Sequence, residues 1–200
     1  MAESSISATT AFSVRPMKLE DAAAGHRLTQ QLGWPHTEQD WIFHLGQGHG
    51  WVAIDNSGAI IGTALLWFYG DKDGTLGLVI VDEAFRGRGL ANALMEHTLE
   101  AAGDRKICLI ATEMAVKLYL NLGFASPRKI KIAQRQGVIA VTTPLMSHDG
   151  SIVRPARKDD YESIQILDRK ASGMDRSSMI NSLLTSSASY VLQREGCVIG

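Results

Sequence analysis

Apolar and polar positions along this chain switch between a period near two and a period near three and a half, and the switches mark out an order of elements. Residues 14–17 predict a short strand, and residues 19–32 a helix whose first turn carries the acidic pair Glu20 and Asp21, favourable to the helix dipole. Gly33 ends it. A second helix follows, with Thr37 as its cap and Trp41, Ile42 and Leu45 as its apolar stripe, until the glycines of residues 46–50 break the pattern. Residues 51–54 and 60–69 predict strands around the turn Asn56-Ser57-Gly58, and residues 71–74 form the next hairpin turn. Residues 76–81 are a continuous apolar run, which predicts a central strand buried on both faces. A helix over 89–102 presents Leu90, Ala93, Leu94, His97 and Thr98 along one side. A strand at 107–111, a helix at 114–122, the stop Gly123-Phe124 and a closing hairpin of 129–132 with 138–142 complete the series. Antiparallel strands come first and a crossover later, so the fold class is mixed α/β.

Self-comparison finds a repeat. Val14-Arg15-Pro16 recurs as Val153-Arg154-Pro155, Glu20-Asp21 as Asp159-Asp160, Leu28 as Leu167 and Trp51-Val52 as Tyr190-Val191, all at one constant offset. One residue is then lost, and residues 58–62 align with 196–200. The resulting division is a disordered tail over 1–12, a first domain over 13–146, a polar linker over 147–151 and the first half of a second copy over 152–200. On this reading the chain is the N-terminal portion of a longer tandem protein. An unfinished sheet leaves an unpaired edge, through which two copies could pair as a homodimer.

Composition narrows the partners. Lys and Arg number 20 against 21 Asp and Glu, a formal net charge of −1 that provides no global attraction to nucleic acid or anionic membrane. The longest apolar runs fall short of the ~18 residues needed to span a bilayer. The first residues lack the basic and apolar regions of a signal peptide. Cys108 and Cys197 stand far apart, so neither a disulfide framework nor a zinc site is expected, and a reducing cytoplasm is the default.

The chemistry concentrates between residues 81 and 91, Val-Asp-Glu-Ala-Phe-Arg-Gly-Arg-Gly-Leu-Ala. Amides at a helix N-terminus have no intrahelical partner and the dipole there favours negative charge, so this is an anion site. Gly87 and Gly89 let a phosphate approach the main chain, and Arg86 and Arg88 add cationic donors. A dinucleotide fingerprint places its first glycine directly after a strand of a parallel βαβ unit, whereas Asp82, Glu83 and Phe85 intervene here after predicted hairpins. No Lys-Ser or Lys-Thr completes a P-loop.

Val81, Arg86, Gly89 and Ala91 stand at the spacing of Val, four residues, Gln or Arg, two residues, Gly, one residue, Gly or Ala, and this resembles the acyl-CoA signature of the GNAT superfamily of N-acetyltransferases. Residues 115–124, Ala-Val-Lys-Leu-Tyr-Leu-Asn-Leu-Gly-Phe, are similar to that family's second hallmark, an Ala-x-x-Leu-Tyr helix ending in Leu-Gly-Phe. The resemblance spans roughly residues 14–143. It implies a mostly antiparallel central sheet, flanked by helices, whose fourth strand splays from the fifth at a bulge; the incomplete second copy after it follows from the repeat. It also implies acetyl-CoA as co-substrate, its pyrophosphate held by the main chain of Arg86, Gly87, Arg88, Gly89, Leu90 and Ala91, and its pantetheine arm paired with the main chain near Val79 and Val81. Tyr119 takes the place of the residue that protonates the departing thiolate. Thr112 stands where many relatives have asparagine, and it hydrogen-bonds differently.

The base is open at this stage. Residues 76–81 contain no carboxylate, and His36, Glu38, Asp40 and His44 lie on or beside the second helix, which in the resembled fold borders the acceptor site; His36 and Glu38 are the candidates, with a water relay as the alternative. The basic residues 128–131 and Arg135 read as a solvated strand face rather than a nucleic-acid contact. His26, His49 and His97 lack metal-like spacing, and no metal site is expected. The function expected is acetyl transfer from acetyl-CoA to a small-molecule primary amine. The rival is an acyl-CoA-binding regulatory or sensor domain without turnover.

Overall fold

The computed structural model describes residues 12–126, 129 and 149–200. The predicted closing hairpin and most of the basic stretch lie outside the described residues. The chain divides into two compact units, Met1–Gly123 and Phe124–Gly200.

In the first unit β1 (Phe12–Pro16) leads through a 3-10 turn (Leu19–Asp21) into α1 (Ala22–Gln31), followed by α2 (Glu38–Gln47), β2 (His49–Asp55), β3 (Ile60–Tyr69) and β4 (Asp73–Val81). A second 3-10 turn (Glu83–Phe85) precedes α3 (Leu90–Ala102), then β5 (Lys106–Leu109), a third 3-10 turn (Glu113–Ala115) and α4 (Val116–Asn121). β1 begins at Phe12, one residue inside the segment assigned to the tail. The sheet has the order β1-β2-β3-β4-β5. It is mixed rather than mostly antiparallel, with antiparallel ladders from β1 to β4 and a parallel β4–β5 pairing that the intervening α3 makes possible.

Local chemistry accounts for these elements. Thr37 caps α2 by accepting from the Asp40 amide, while the Asp40 carboxylate accepts from the Thr37 amide, a reciprocal box that satisfies two orphan donors. Asp21, expected to serve the helix dipole, does more: its buried carboxylate accepts both Arg15 guanidinium nitrogens, at 2.7 and 2.9 Å, and the Lys18 amide at 2.7 Å. β1 and α1 are thereby locked at one corner. A Cβ added to Gly25 would lie 2.5 Å from the Trp41 ring, so glycine is what lets α1 and α2 approach, and the buried Trp41 indole N–H donates to Thr29 Oγ1 at 3.3 Å.

The strand buried on both faces is β3, not β4. Eight of its ten residues are buried, whereas β4 alternates buried and half-buried positions, and the central place in the sheet also falls to β3. On one face Leu90 and Leu94 of α3 pack with Ala53, Ile61 and Ala64, and Val79, Val81 and Phe85 border the cluster. The helix stripe is corrected as well: Leu90, Leu94, Met95, Thr98 and Ala102 are buried, while His97 is exposed.

In the second unit β6 (Ile152–Pro155), a 3-10 turn (Lys158–Asp160), α5 (Tyr161–Ser172), α6 (Ser177–Ser186), β7 (Tyr190–Arg194) and β8 (Cys197–Val198) follow one another, with sheet order β6-β7-β8. Arg154 grips Asp160 through both guanidinium nitrogens, at 2.7 and 2.8 Å, and the Arg157 amide donates to the same carboxylate at 2.7 Å.

Candidate active site

β4 and β5 pair only from Asp73↔Lys106 to Leu76↔Leu109. Beyond Leu76, β4 continues for five residues without β5. The departure coincides with a bulge: Thr63 faces Ile80 and Leu65 faces Gly77, so two residues of β4 oppose one of β3, and Leu78 takes a left-handed φ of 49°. A left-handed leucine costs about 1–3 kcal/mol and persists only where its surroundings hold it. Here the Thr63 hydroxyl donates to the Leu78 carbonyl at 2.8 Å, both buried.

The bulge decides which main-chain groups are available. The Leu78 carbonyl and the Asp82 amide, which donates to the Ile61 carbonyl at 2.8 Å, both face β3. Alternation along an extended strand then turns the amide and carbonyl groups of Val79 and Val81 toward the side that β5 has left. Among them the Val81 carbonyl takes a long contact of 3.4 Å from Arg86 Nε. The open edge is therefore a short template of donors and acceptors, suited to an extended amide-containing ligand.

The edge runs into the glycine turn. Gly87 has φ 75° and Gly89 φ 83°, and Gly89 is the N-cap of α3. A Cβ at either would meet nothing within 4 Å, so the space above both is open, and it is backbone conformation that requires glycine. The amides of Leu90, Ala91 and Asn92, which open α3, precede the first intrahelical bond, from the Ala93 amide to the Gly89 carbonyl at 3.0 Å. The arginines are partly engaged by the turn itself: Arg86 reaches Glu83 at 3.4 Å, and Arg88 donates to the Ala84 carbonyl at 3.0 Å with its guanidinium 5.2 Å from the Phe85 ring centre. They brace the loop whose main chain faces outward.

Two residues that sequence reasoning missed anchor this turn. Asp82 caps the 3-10 turn through the Ala84 amide, and it accepts from Gln31 and Arg27 of α1, each at 3.2 Å. Burial alone would raise its carboxyl, but these hydrogen bonds overcome that and leave the group below the usual range. Arg27 also donates to the Ile60 carbonyl at 2.6 Å. The partners lie more than fifty residues apart in sequence, and only an acidic residue at a strand end hinted at the link.

Tyr119 sits on α4, which follows β5 at the end of the sheet where β5 and β4 part. Its side chain is buried, and that burial pushes the phenol above its ordinary value, so it remains protonated and able to donate at neutral pH. Thr112 is exposed and makes no side-chain cap; its carbonyl accepts the Ala115 amide at 3.0 Å. Glu38 is exposed on the first turn of α2. His36 is half-buried in an aromatic cluster with Trp34 and His44. Among the described residues there is no group of three or more His, Cys, Asp and Glu that could hold a metal ion, and no helix is long and apolar enough to cross a membrane.

A mixed sheet that parts at a bulge, with a glycine turn and a helix N-terminus beside the parting, defines a GNAT-like fold. Residues 46–126 match the family model described as acetyltransferase (GNAT) domain. The chain is 29% identical over 181 residues to the uncharacterised N-acetyltransferase YitH of Bacillus subtilis, covering 87% of this chain and 61% of that protein. A candidate acetyltransferase of Pyrococcus horikoshii superposes with a TM-score of 0.67 at 17% identity, covering 92% of this chain and 65% of that one. A Clostridium acetobutylicum protein assigned as an acetyltransferase and solved with acetyl-CoA superposes at 0.50 with 17% identity, over 62% of this chain and 96% of its own. Together these findings show that the chain is similar to GNAT acetyltransferases, with the family match confined to residues 46–126. The chain spans a little over three-fifths of the length of the Bacillus relative.

Proposed function

We propose that this chain transfers an acetyl group from acetyl-CoA to a small-molecule primary amine by direct attack. The observation that carries the reading is the continuity of the open β4 edge at Val79 and Val81 with the outward main chain of residues 86–91. An amide-rich pantetheine arm fits the first and a diphosphate fits the second. In this reading the amine nitrogen attacks the thioester carbonyl, an amide of β4 steadies the charge that grows on oxygen, and Tyr119 supplies the proton to the departing sulfur. Tyr119 and the main chain of Val79, Val81 and residues 86–91 do the binding and chemistry; the base stays open at this level, with His36 and Glu38 as the candidates read from the sequence and a water relay as the alternative. Thr112 borders the coenzyme.

Calorimetry with acetyl-CoA, followed by turnover with polyamines, amino acids and aminoglycosides, tests the assignment. Binding with turnover of at least one amine is the expected result. Binding without turnover across the panel would favour the rival, a regulatory acyl-CoA sensor. A reducing cytoplasm is the compartment that the paucity of cysteine favours, and neither nucleic acid nor membrane is among the proposed partners.

We further propose that residues 152–200 are the first half of a second GNAT-like copy, with a linker at 147–151. Support comes from the same succession of strand, 3-10 turn, two helices and strand in both units, and from the same register, Arg15↔Val52 in one and Arg154↔Val191 in the other. The doubled Arg–Asp clamp adds to it.

A further inference from the structure

Between α2 and the β4 edge lies a pile of rings. Trp34 and His36 stand 5.9 Å apart between ring centres, His36 and His44 6.4 Å, and His44 and Trp67 5.1 Å, with the last pair edge-on. The Trp67 indole N–H donates to the His44 carbonyl at 3.1 Å, which fixes the end of α2 on β3. Trp67 in turn covers β4 at one place: a Cβ on Gly77 would lie 3.1 Å from Trp67 Cζ3. Gly77 is the first residue of β4 beyond its last β5-paired position. The pile thus starts at the half-buried His36 and ends where the sheet opens.

Two polar atoms in it lack partners. His36 Nδ1 and His44 Nδ1 are both buried and make no hydrogen bond among the described residues. Buried polar atoms are nearly always paired, so two unpaired imidazole nitrogens in a ring pile that reaches Gly77 of β4 call for a partner from outside the protein. The neighbouring carboxylates are otherwise committed or remote. Asp40 accepts from the amide and hydroxyl of Thr37 at 2.7 and 2.8 Å, and Glu38 is exposed.

We propose that His44, with His36 beside it, receives the proton that the acceptor amine releases. The inference rests on the acetyl-transfer reading above and deepens it by naming the base. As the nitrogen–carbon bond forms and the carbon–sulfur bond breaks, the sulfur keeps the bonding pair and takes the Tyr119 proton. The proton on the new amide nitrogen passes through a water to His44. One proton returned from the imidazole through solvent to the Tyr119 phenolate resets both groups. His44 is suited to the task because burial first, and the charge of His36 second, hold its imidazole below the ordinary histidine value, so that it is neutral and receptive at pH 7; Asp40 opposes this.

The test compares wild type with His44→Gln and His36→Gln, using the amine that turns over, acetyl-CoA calorimetry and histidine titration by NMR. His44→Gln is expected to lower kcat about 100-fold and to leave acetyl-CoA affinity within twofold. It is also expected to remove the acidic limb of the kcat/KM profile below pH 6.5, while the limb of the amine itself remains. His36→Gln removes a positive neighbour, so His44 and the acidic limb both move to higher pH. Wild-type turnover with a His44→Gln variant that keeps its rate and its acidic limb would overturn the histidine assignment alone. Failure of the wild type to bind acetyl-CoA or to acetylate any amine would remove the site reading and this inference with it. Should His44→Gln lose acetyl-CoA binding through misfolding, the His36→Gln profile decides: a moved limb supports the pair and an unmoved one excludes it.

Discussion

Gly58 and Gly89 provide a matched pair of substitutions. Both have φ 83°, and a Cβ at either would meet nothing within 4 Å. Alanine at either position therefore faces the same left-handed penalty, about 1–2 kcal/mol, with no clash added. The two variants are expected to melt at lower temperatures than wild type by similar amounts. They differ in place. Gly58 lies in the β2–β3 hairpin, whereas Gly89 caps α3 at the mouth of the proposed diphosphate site. A methyl group there displaces a phosphate oxygen from one main-chain amide, and a hydrogen bond to a charged group contributes about 1.5–3 kcal/mol. At about 1.4 kcal/mol per tenfold, Gly89→Ala is expected to weaken acetyl-CoA binding roughly 10- to 100-fold, and Gly58→Ala to leave it unchanged. Melting and calorimetry on the two proteins measure both terms. Equal acetyl-CoA affinity in the two variants would refute the claim that the coenzyme meets the Gly89 main chain.

The remaining predictions concern the acid, the clamps and the anchor of the turn. Tyr119→Phe is expected to lower kcat about 100-fold or more with acetyl-CoA affinity retained; unchanged turnover in a steady-state assay removes the phenol from the chemistry. Asp21→Asn leaves the Arg15 guanidinium without its carboxylate and is expected to destabilise the first unit by about 2 kcal/mol, read as a lower urea midpoint at constant slope. Arg154 holds the Asp160 carboxyl at about 2, below its ordinary 3.8. Because the folded value is the lower one, its contribution is complete above pH 3.8 and is lost as the pH falls toward 2. Asp160→Asn is accordingly expected to flatten acid unfolding of residues 152–200 in that window, followed by hydrogen exchange. Arg27→Ala removes a donor to Asp82 and is expected to weaken acetyl-CoA binding severalfold with little change in melting temperature, checked by the same calorimetry.

What the sequence disclosed followed the range of the interactions involved. The glycine turn was legible because Gly87 and Gly89 answer a local backbone demand, and the Thr37 cap because it needs only Asp40, three residues on. The splay between β4 and β5 was expected from the family resemblance alone. A bulge came with that resemblance, but its place was hidden, since nothing about leucine announces the left-handed backbone at Leu78, where the Thr63 hydroxyl, fifteen residues away, donates to the Leu78 carbonyl. β4 was also misjudged as the strand buried on both faces. Its run of Leu, Val and Ile is continuous, but β3 holds the middle of the five-stranded sheet with eight of its ten residues buried, and about half of the β4 side chains remain partly open. His44 was legible only as one of four polar residues on or beside the second helix, because what sets it apart comes from Trp67 and Gly77, on two strands. Arg27 and Asp82 are a further case, joined across the fold by an ion pair at 3.2 Å.

In the proposed function the open edge of β4 and the turn after it hold the coenzyme through main-chain groups, and amide NMR of the protein titrated with coenzyme A reads this residue by residue. The amides of Val79, Val81, Gly87, Gly89, Leu90 and Ala91 are expected to shift together, with slowed exchange at Val79 and Val81, while β1 and the Gly58 hairpin stay still. Shifts confined to other elements, or a titration in which these six amides do not move, would contradict it.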